Sequence, residues 1–217
     1  MSGRAQGVAD ALRAAIINGE YYPGERLVEL RLMGVYAVSQ ATVREALRLL
    51  EREGWVVSQP RRGAMVRTFT AAQAEEVFAL LAAIESQALR WVFAGLKKAA
   101  REQLRAHVRA ARRASQDNKT GLGLSMLFEV HLTLARLAAA EHPLTGELLE
   151  RLHNHARLLE AMRRMRVRLP PRELDPLIAG HEALCERIDA RDLDGAEVLL
   201  RRQIVLYSGM VLDVLRG

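Results

Sequence analysis

The sequence predicts a mainly α protein in two parts: an N-terminal winged arrangement of three helices and a β-hairpin over residues 1–69, then an all-α bundle of about six helices over residues 70–217. Three observations carry this reading. The apolar spacing is helical up to Gly54, then gives way to WVVSQ and AMVRT, two β-prone runs separated by PRRG. From Thr70 onward the helical spacing returns almost without interruption. Breakers then recur at DNKTG (117–121), EHPLTG (141–146), LPPRELDP (169–176) and ARDLDG (190–195), which leaves segments of the length bundle helices have.

Each element has its own local signal. Residues 8–18, VADALRAAIIN, place Val8, Leu12, Ala15 and Ile16 on one side of a helix. GEYYPGERL follows as a turn, with Pro23-Gly24 suited to the central positions of a tight bend. Leu27 to Met33 reads as a short helix, and VYAV as the connector into VSQATVREALRLLEREGW at 38–55. There Val43, Ala46, Leu47 and Leu50 form the inward arc, Ser39 is placed as N-cap, and Val38 with Val43 makes a hydrophobic staple. TAAQ at 70–73 fits a capping box, with Thr70 as cap and Gln73 reaching back, so a new helix starts there. No internal repeat is present.

Lys and Arg outnumber Asp and Glu by 32 to 26, a net charge of +6. That balance favours an anionic partner, and the preponderance of Arg suits bidentate contacts to phosphate or guanine. The single cysteine, Cys185, excludes a disulfide within the chain and fits a reducing, cytoplasmic location. MSGRAQGVADALRAAI lacks an apolar core of leader length. No stretch approaches the roughly 20 apolar residues that span a bilayer, so no membrane partner is expected.

The helix at 39–52 divides its chemistry by position. Its start carries Ser39, Gln40, Thr42 and Arg44; its end carries Glu45, Glu51 and Glu53. An amphipathic surface helix with a good cap would account for part of this. Three helices followed by a hairpin with a basic tip is, however, the order of a winged helix-turn-helix. In that arrangement the helix start enters the DNA major groove, and the acidic end angles away from the phosphates. Gln40 could read an adenine edge, and Arg44 a guanine or a phosphate. The tip Arg61-Arg62-Gly63 would lie over the adjacent backbone or minor groove.

PGERLVE (23–29), VSQATVREALRLLEREGWV (38–56) and RRGAMVR (61–67) together resemble the DNA-binding head of GntR-family transcriptional regulators. The helical remainder resembles the FadR-type branch, whose C-terminal ligand-sensing bundle is the FCD domain. The resemblance implies a homodimer on a palindromic double-stranded DNA operator, a small-molecule effector with carboxylates among the classes allowed, and repression relieved by that effector. It places Ser39, Thr42, Arg44 and Gly63 at DNA-contacting positions. Gln40 stands where the family usually has Arg, Ala41 replaces a common Thr, and Ala37 replaces the usual Gly of the bend.

In the bundle, FEVHLTLARLAAAEHPL (128–144) and GHEALCERIDARDLDGAEVLLRRQI (180–204) carry the resemblance. Many FCD domains bind a divalent metal through an Asp four residues before a His and two further His. Here His131 and His181 match ligand positions, Leu127 stands for the Asp and Gln203 for the last His. Leu81 occupies a place where the family often has a pocket-facing Arg. Two imidazoles alone make a poor transition-metal site, so a divalent metal held by His131 and His181 is allowed but disfavoured, and no cofactor is assigned. The expectation is a more apolar effector pocket, lined by Leu81 and Leu127, with His131, His181 and Gln203 as hydrogen-bonding groups. His153 and His155 are expected to be solvated, as are the basic face Lys97, Arg101, Arg105, Arg109, Arg112 and the helix end RRMRVRLPPR (163–172). The bundle shows no nucleophile–base pair or paired carboxylates, which argues against a helical-bundle enzyme with a nucleic-acid-binding module. A DNA-binding scaffold with a degenerate sensor is the remaining alternative.

Overall fold

The computed structural model describes residues 3–217. Met1 and Ser2, the first residues of the segment read for a leader, lie outside the described residues. The chain forms two compact units: the residues up to Thr70 together with Asn154–Arg166, and Ala71–His153 together with Val167–Gly217.

The first unit runs α1 (Gly3–Asn18), β1 (Arg26–Leu27), α2 (Glu29–Tyr36), α3 (Gln40–Arg52), β2 (Val56–Gln59) and β3 (Gly63–Val66). The three strands are antiparallel in the order β1-β3-β2, with Met65 facing Arg26 on one side and Val57 on the other. The expected hairpin therefore gains a third strand from residues read as the end of a turn and the start of a short helix, and that helix begins instead at Glu29. Two residues are too short for a period-2 pattern, so β1 leaves no signal of its own. Leu12, Ile16, Val43, Leu50, Trp55 and Val56 are buried together, and Leu158 joins them from α7 (Pro143–Arg166). Burying such a side chain contributes about 1.5–3 kcal/mol, and a unit this small needs the extra apolar cover.

Between α2 and α3 the chain turns at Ala37, which adopts the left-handed conformation (φ 51°, ψ 48°) with its N–H on Met33 O. An L-residue there costs about 1–2 kcal/mol that glycine would avoid. The structure accepts the Cβ; Ala37 is exposed, so the strain is in the backbone and not in packing.

The second unit contains α4 (Ala71–Phe93), α5 (Lys98–Gln116), α6 (Thr120–Ala139), the first part of α7, α8 (Pro171–Asp189) and α9 (Leu193–Arg216). Each of the four breaker segments falls at a helix junction, although Pro176 lies inside α8. The α4–α5 junction around Gly95 carried no breaker signal strong enough to mark it. α4 packs along α9 and α6, α5 along α6 and α8, and α8 along α9. Gly123 lets α6 approach α8 closely, because a Cβ there would fall 2.5 Å from Leu174 Cδ2.

Three expectations are corrected here. By length and composition α6 is apolar enough to cross a membrane, contrary to the reading that no stretch approached this. It packs instead against α4, α5 and α8, with Leu127, Val130, His131 and Leu134 buried, which explains the composition. The α5 basic face is not simply solvated. Arg101 and Arg105 both pair with Asp189, and Arg112 pairs with Asp175 (3.2 Å) and Glu182 (2.8 Å), so three of its cations tie α5 to α8. The start of RRMRVRLPPR is not a free helix end either: Arg163 is buried against Glu160, and Arg164 Nη2 donates to Ile17 O (2.8 Å) within the first unit.

Candidate functional site

The start of α3 is open to solvent. Ser39 is extended (φ −69°, ψ 158°) and caps the helix, its Oγ accepting from Thr42 N at 3.3 Å and lying 2.9 Å from Thr42 Oγ1. The hydroxyl satisfies a first-turn N–H that would otherwise be left unpaired. Val43 is fully buried and Val38 packs against the same core, as a staple requires. With that arc inward, Gln40, Arg44 and Arg48 are exposed and Thr42 is half-buried.

Glu29, in the first turn of α2, was missed by sequence reasoning, and it organises this surface. Its Oε2 accepts from Gln40 Nε2 (2.8 Å) and Arg44 Nε (2.9 Å), and its Oε1 is 3.1 Å from the same Arg44 Nε. The acids at the far end of α3 are used internally. Glu51 accepts from Ser58 N (2.9 Å) and Ser58 Oγ (3.0 Å) on β2. Glu53 makes a two-oxygen pair with Arg13 of α1, and its carbonyl accepts from Asn154 Nδ2 (3.1 Å). These contacts clamp the C-terminal end of α3 and leave its N-terminal end uncovered. In the wing turn, Arg61 and Arg62 are exposed; Arg61 (φ 64°) and Gly63 (φ 77°) both take positive φ. Gly63 takes that conformation without the steric cost an L side chain has there, and beyond its immediate chain neighbours nothing lies within 4 Å of where a Cβ would be.

In the second unit, His131 of α6 and His181 of α8 meet with their Nε2 atoms 3.1 Å apart. Two further groups join them. Glu85 of α4 places Oε2 2.5 Å from His131 Nδ1 and Oε1 2.7 Å from His153 Nε2 on α7. His153 is 1% exposed, which overturns its expected solvation; His155 is half-buried, edge-on to Phe69 at 5.0 Å. Glu85 sits in register with the buried positions Leu81 and Leu89, so a charged residue on an otherwise apolar helical face was the signal available in the sequence. Gln203 is buried beside Gly180, where any Cβ would collide with its amide, and it makes no bond to either His ring among the described contacts. Leu81 and Leu127 are buried one turn before Glu85 and His131 respectively.

The hydrogen bonds fix where protons sit. His181 Nδ1 donates to Leu177 O (2.7 Å), so its Nε2 presents a lone pair. His131 then donates from Nε2 to His181, and a single proton lies between its Nδ1 and Glu85 Oε2. Burial alone would raise the Glu85 pKa, but the His131 charge and hydrogen bond, with His153, bring it down to about 2. Burial and the adjacent His131 charge depress His181 to about 3, outweighing its backbone bond and Glu85. The donor set does not fit a transition metal. Among the described residues no three His, Cys, Asp or Glu groups are placed for one; Leu127 offers only alkyl, and Glu85 lies on the far ring nitrogen of His131. Two buried side-chain atoms of this region, Gln203 Oε1 and His153 Nδ1, have no hydrogen-bond partner among the described residues.

A three-stranded winged helix-turn-helix with an uncovered α3 start, followed by a helical bundle, is the architecture of the first and second units. The chain belongs to the GntR family: residues 4–66 match the bacterial regulatory proteins of that family, and residues 76–205 match the FCD domain. It is 35% identical over 81 residues to the HTH-type transcriptional regulator YdhC of Bacillus subtilis, a match covering 37% of this chain and 36% of that protein. A second match, 28% identical over 87 residues, is to an HTH-type regulator from the TAR-I ttuE-ttuC' intergenic region of Agrobacterium vitis and covers 40% of this chain and 51% of that protein. Among solved structures, E. coli McbR/YncC superposes with a TM-score of 0.84 at 18% identity, over 98% of this chain and 99% of the other. A GntR regulator from Rhodococcus sp. RHA1 gives 0.79 at 26% identity, over 98% and 99%.

Proposed function

We propose that the chain is a ligand-responsive, DNA-binding transcriptional regulator that acts in the cytoplasm as a homodimer on a palindromic operator, with repression relieved by effector. Residues 1–69 form the DNA-binding domain, and residues 70–217 sense the effector and dimerise. The observation that carries the reading is the capped, solvent-facing start of α3, with Gln40 and Arg44 presented on it. Ser39, Thr42, Arg61, Arg62 and Gly63 supply the surrounding backbone contacts. Two-fold pairing requires the operator to repeat in inverted orientation, each half read by one α3 and one wing.

His131, His181, Gln203, Leu81 and Leu127 form the effector pocket, joined by Glu85 and His153. Glu85 already supplies its buried negative charge, so a carboxylate effector would meet a like charge there. Gln203 Oε1 accepts only, so the chemistry that complements it is an uncharged hydrogen-bond donor such as a hydroxyl or amide, and a group with both a donor and an acceptor also matches His153 Nδ1. The effector shifts operator affinity only as far as it binds one state of the protein more tightly than the other.

The test is selection from a random-sequence duplex library. Enrichment of an inverted repeat, lost on adding an effector found by thermal shift, is the expected result. Recovery of no enriched sequence would sink the proposal. The direct bonding of Glu85, His131, His153 and His181 to one another favours one second reading, a DNA-binding scaffold without a sensor. A screen in which DNA is bound specifically but no compound raises the melting temperature would select it.

A further inference from the structure

The carboxylate of Glu29 bonds to both side chains that the α3 start presents for base reading, and to each at one defined atom. Gln40 offers its Nε2, because a carboxylate accepts and cannot donate; this fixes the orientation of the amide. One Nε2 hydrogen and Oε1 remain for the paired contact that an adenine edge takes. Arg44 offers its Nε, which leaves the two terminal Nη groups to make an end-on fork. A guanine edge accepts such a fork at O6 and N7. The bonds cross from α2 to α3, 11 residues for Gln40 and 15 for Arg44, so they depend on the helix-turn-helix fold.

We propose that Glu29 is a specificity-determining positioning residue, which touches no base but holds Gln40 and Arg44 with their reading edges free. This rests on the reading that α3 enters the major groove. Long side chains lose rotamer freedom on binding, and a contact that orders them beforehand removes part of that cost for the correct sequence only. The same carboxylate repels phosphate, so it opposes binding to any duplex regardless of sequence. Glu29 therefore trades general affinity for discrimination.

The test uses the full chain and the duplex it selects from a random library, with a scrambled duplex of equal composition as the non-specific probe. The ratio of the two affinities is measured at one fixed salt concentration. Glu29→Gln should lower that ratio about tenfold, the scale expected for two side chains no longer ordered in advance. Non-specific affinity should hold or rise, and the melting temperature should stay at the parent value. Glu29→Asp keeps the charge but is too short to bridge both groups, so it should lower the ratio similarly. In a Gln40→Ala/Arg44→Ala background, Glu29→Gln should leave the ratio unaltered. An unchanged ratio in both single variants would overturn the inference and leave Glu29 as an electrostatic brake or a helix-start acid. An equal drop in the Ala/Ala background would also overturn it, by placing the effect elsewhere. If the Ala/Ala variant itself keeps the parent's ratio, the reading of α3 fails with it.

Discussion

Two glutamates in this chain hold the same arrangement in opposite surroundings. Glu29 takes one amide and one guanidinium at the surface of the winged unit; Glu85 takes two imidazoles inside the helical unit. The Glu29 side chain is 33% exposed and that of Arg44 57%, whereas Glu85 is 3% exposed. Water and salt screen the first set, so its bonds are cheap to exchange for bonds to a nucleic acid. The second set has no water to fall back on, and each broken bond leaves a buried polar group unpaired. The exposed set suits readout that must release and re-form. The buried one suits a fixed feature around which a bundle, and a ligand, can be organised.

The largest effect that would expose this difference is on stability. Glu85→Ala should cost about 3–5 kcal/mol in denaturant unfolding, because it leaves two buried imidazoles without their shared partner, whereas Glu29→Ala should cost no more than about 1 kcal/mol. Equal costs would break the comparison. Acid should act next, and through the buried set. Both Glu85 and His181 have folded pKa values below their ordinary ones, about 2 and about 3. For each, the unfolded chain binds more protons in the window between the two values, so stability is full above the unfolded value and is lost as pH falls through that window. The His181 window opens at 6.5 and that of Glu85 at 4.5. Between pH 7 and pH 4 the unfolding free energy should fall by about 3 kcal/mol, at about 1.4 kcal/mol per pH unit for a fully responding group. A flat profile over that range would mean that His181 is not buried in its neutral form. The smallest effect concerns the turn that sets the exposed cluster. Ala37→Gly should stabilise the chain by up to about 1 kcal/mol, part of the left-handed strain being offset by glycine's greater freedom when unfolded. Thermal unfolding resolves this, and a loss of stability would show that the Cβ is not strained.

The same contrast explains what the sequence could reveal. The α3 cap, the staple, the outward Gln40 and Arg44, and the wing tip follow from local spacing and turn chemistry, and the structure places them accordingly. His131 and His181 were legible as candidates through the family resemblance, but their partners were not. Glu85 lies 46 residues from His131 and 68 from His153, and no periodicity links such positions. The contribution of α7 to the first unit was equally hidden: Asn154 meets Glu53 across 101 residues and Arg164 meets Ile17 across 147. A long-range ion pair looks, in sequence, like any solvated charge. That is why the α5 basic face and His153 were taken for surface features.

The central claim is that the open end of α3 reads base sequence. Its most direct test is an anisotropy titration of Arg44→Ala against the duplex selected by the parent chain, with a scrambled duplex alongside. A loss of about 1–3 kcal/mol on the selected duplex, a much smaller loss on the scrambled one and an unchanged melting temperature are predicted. Equal affinity of parent and variant for the selected duplex would contradict the account.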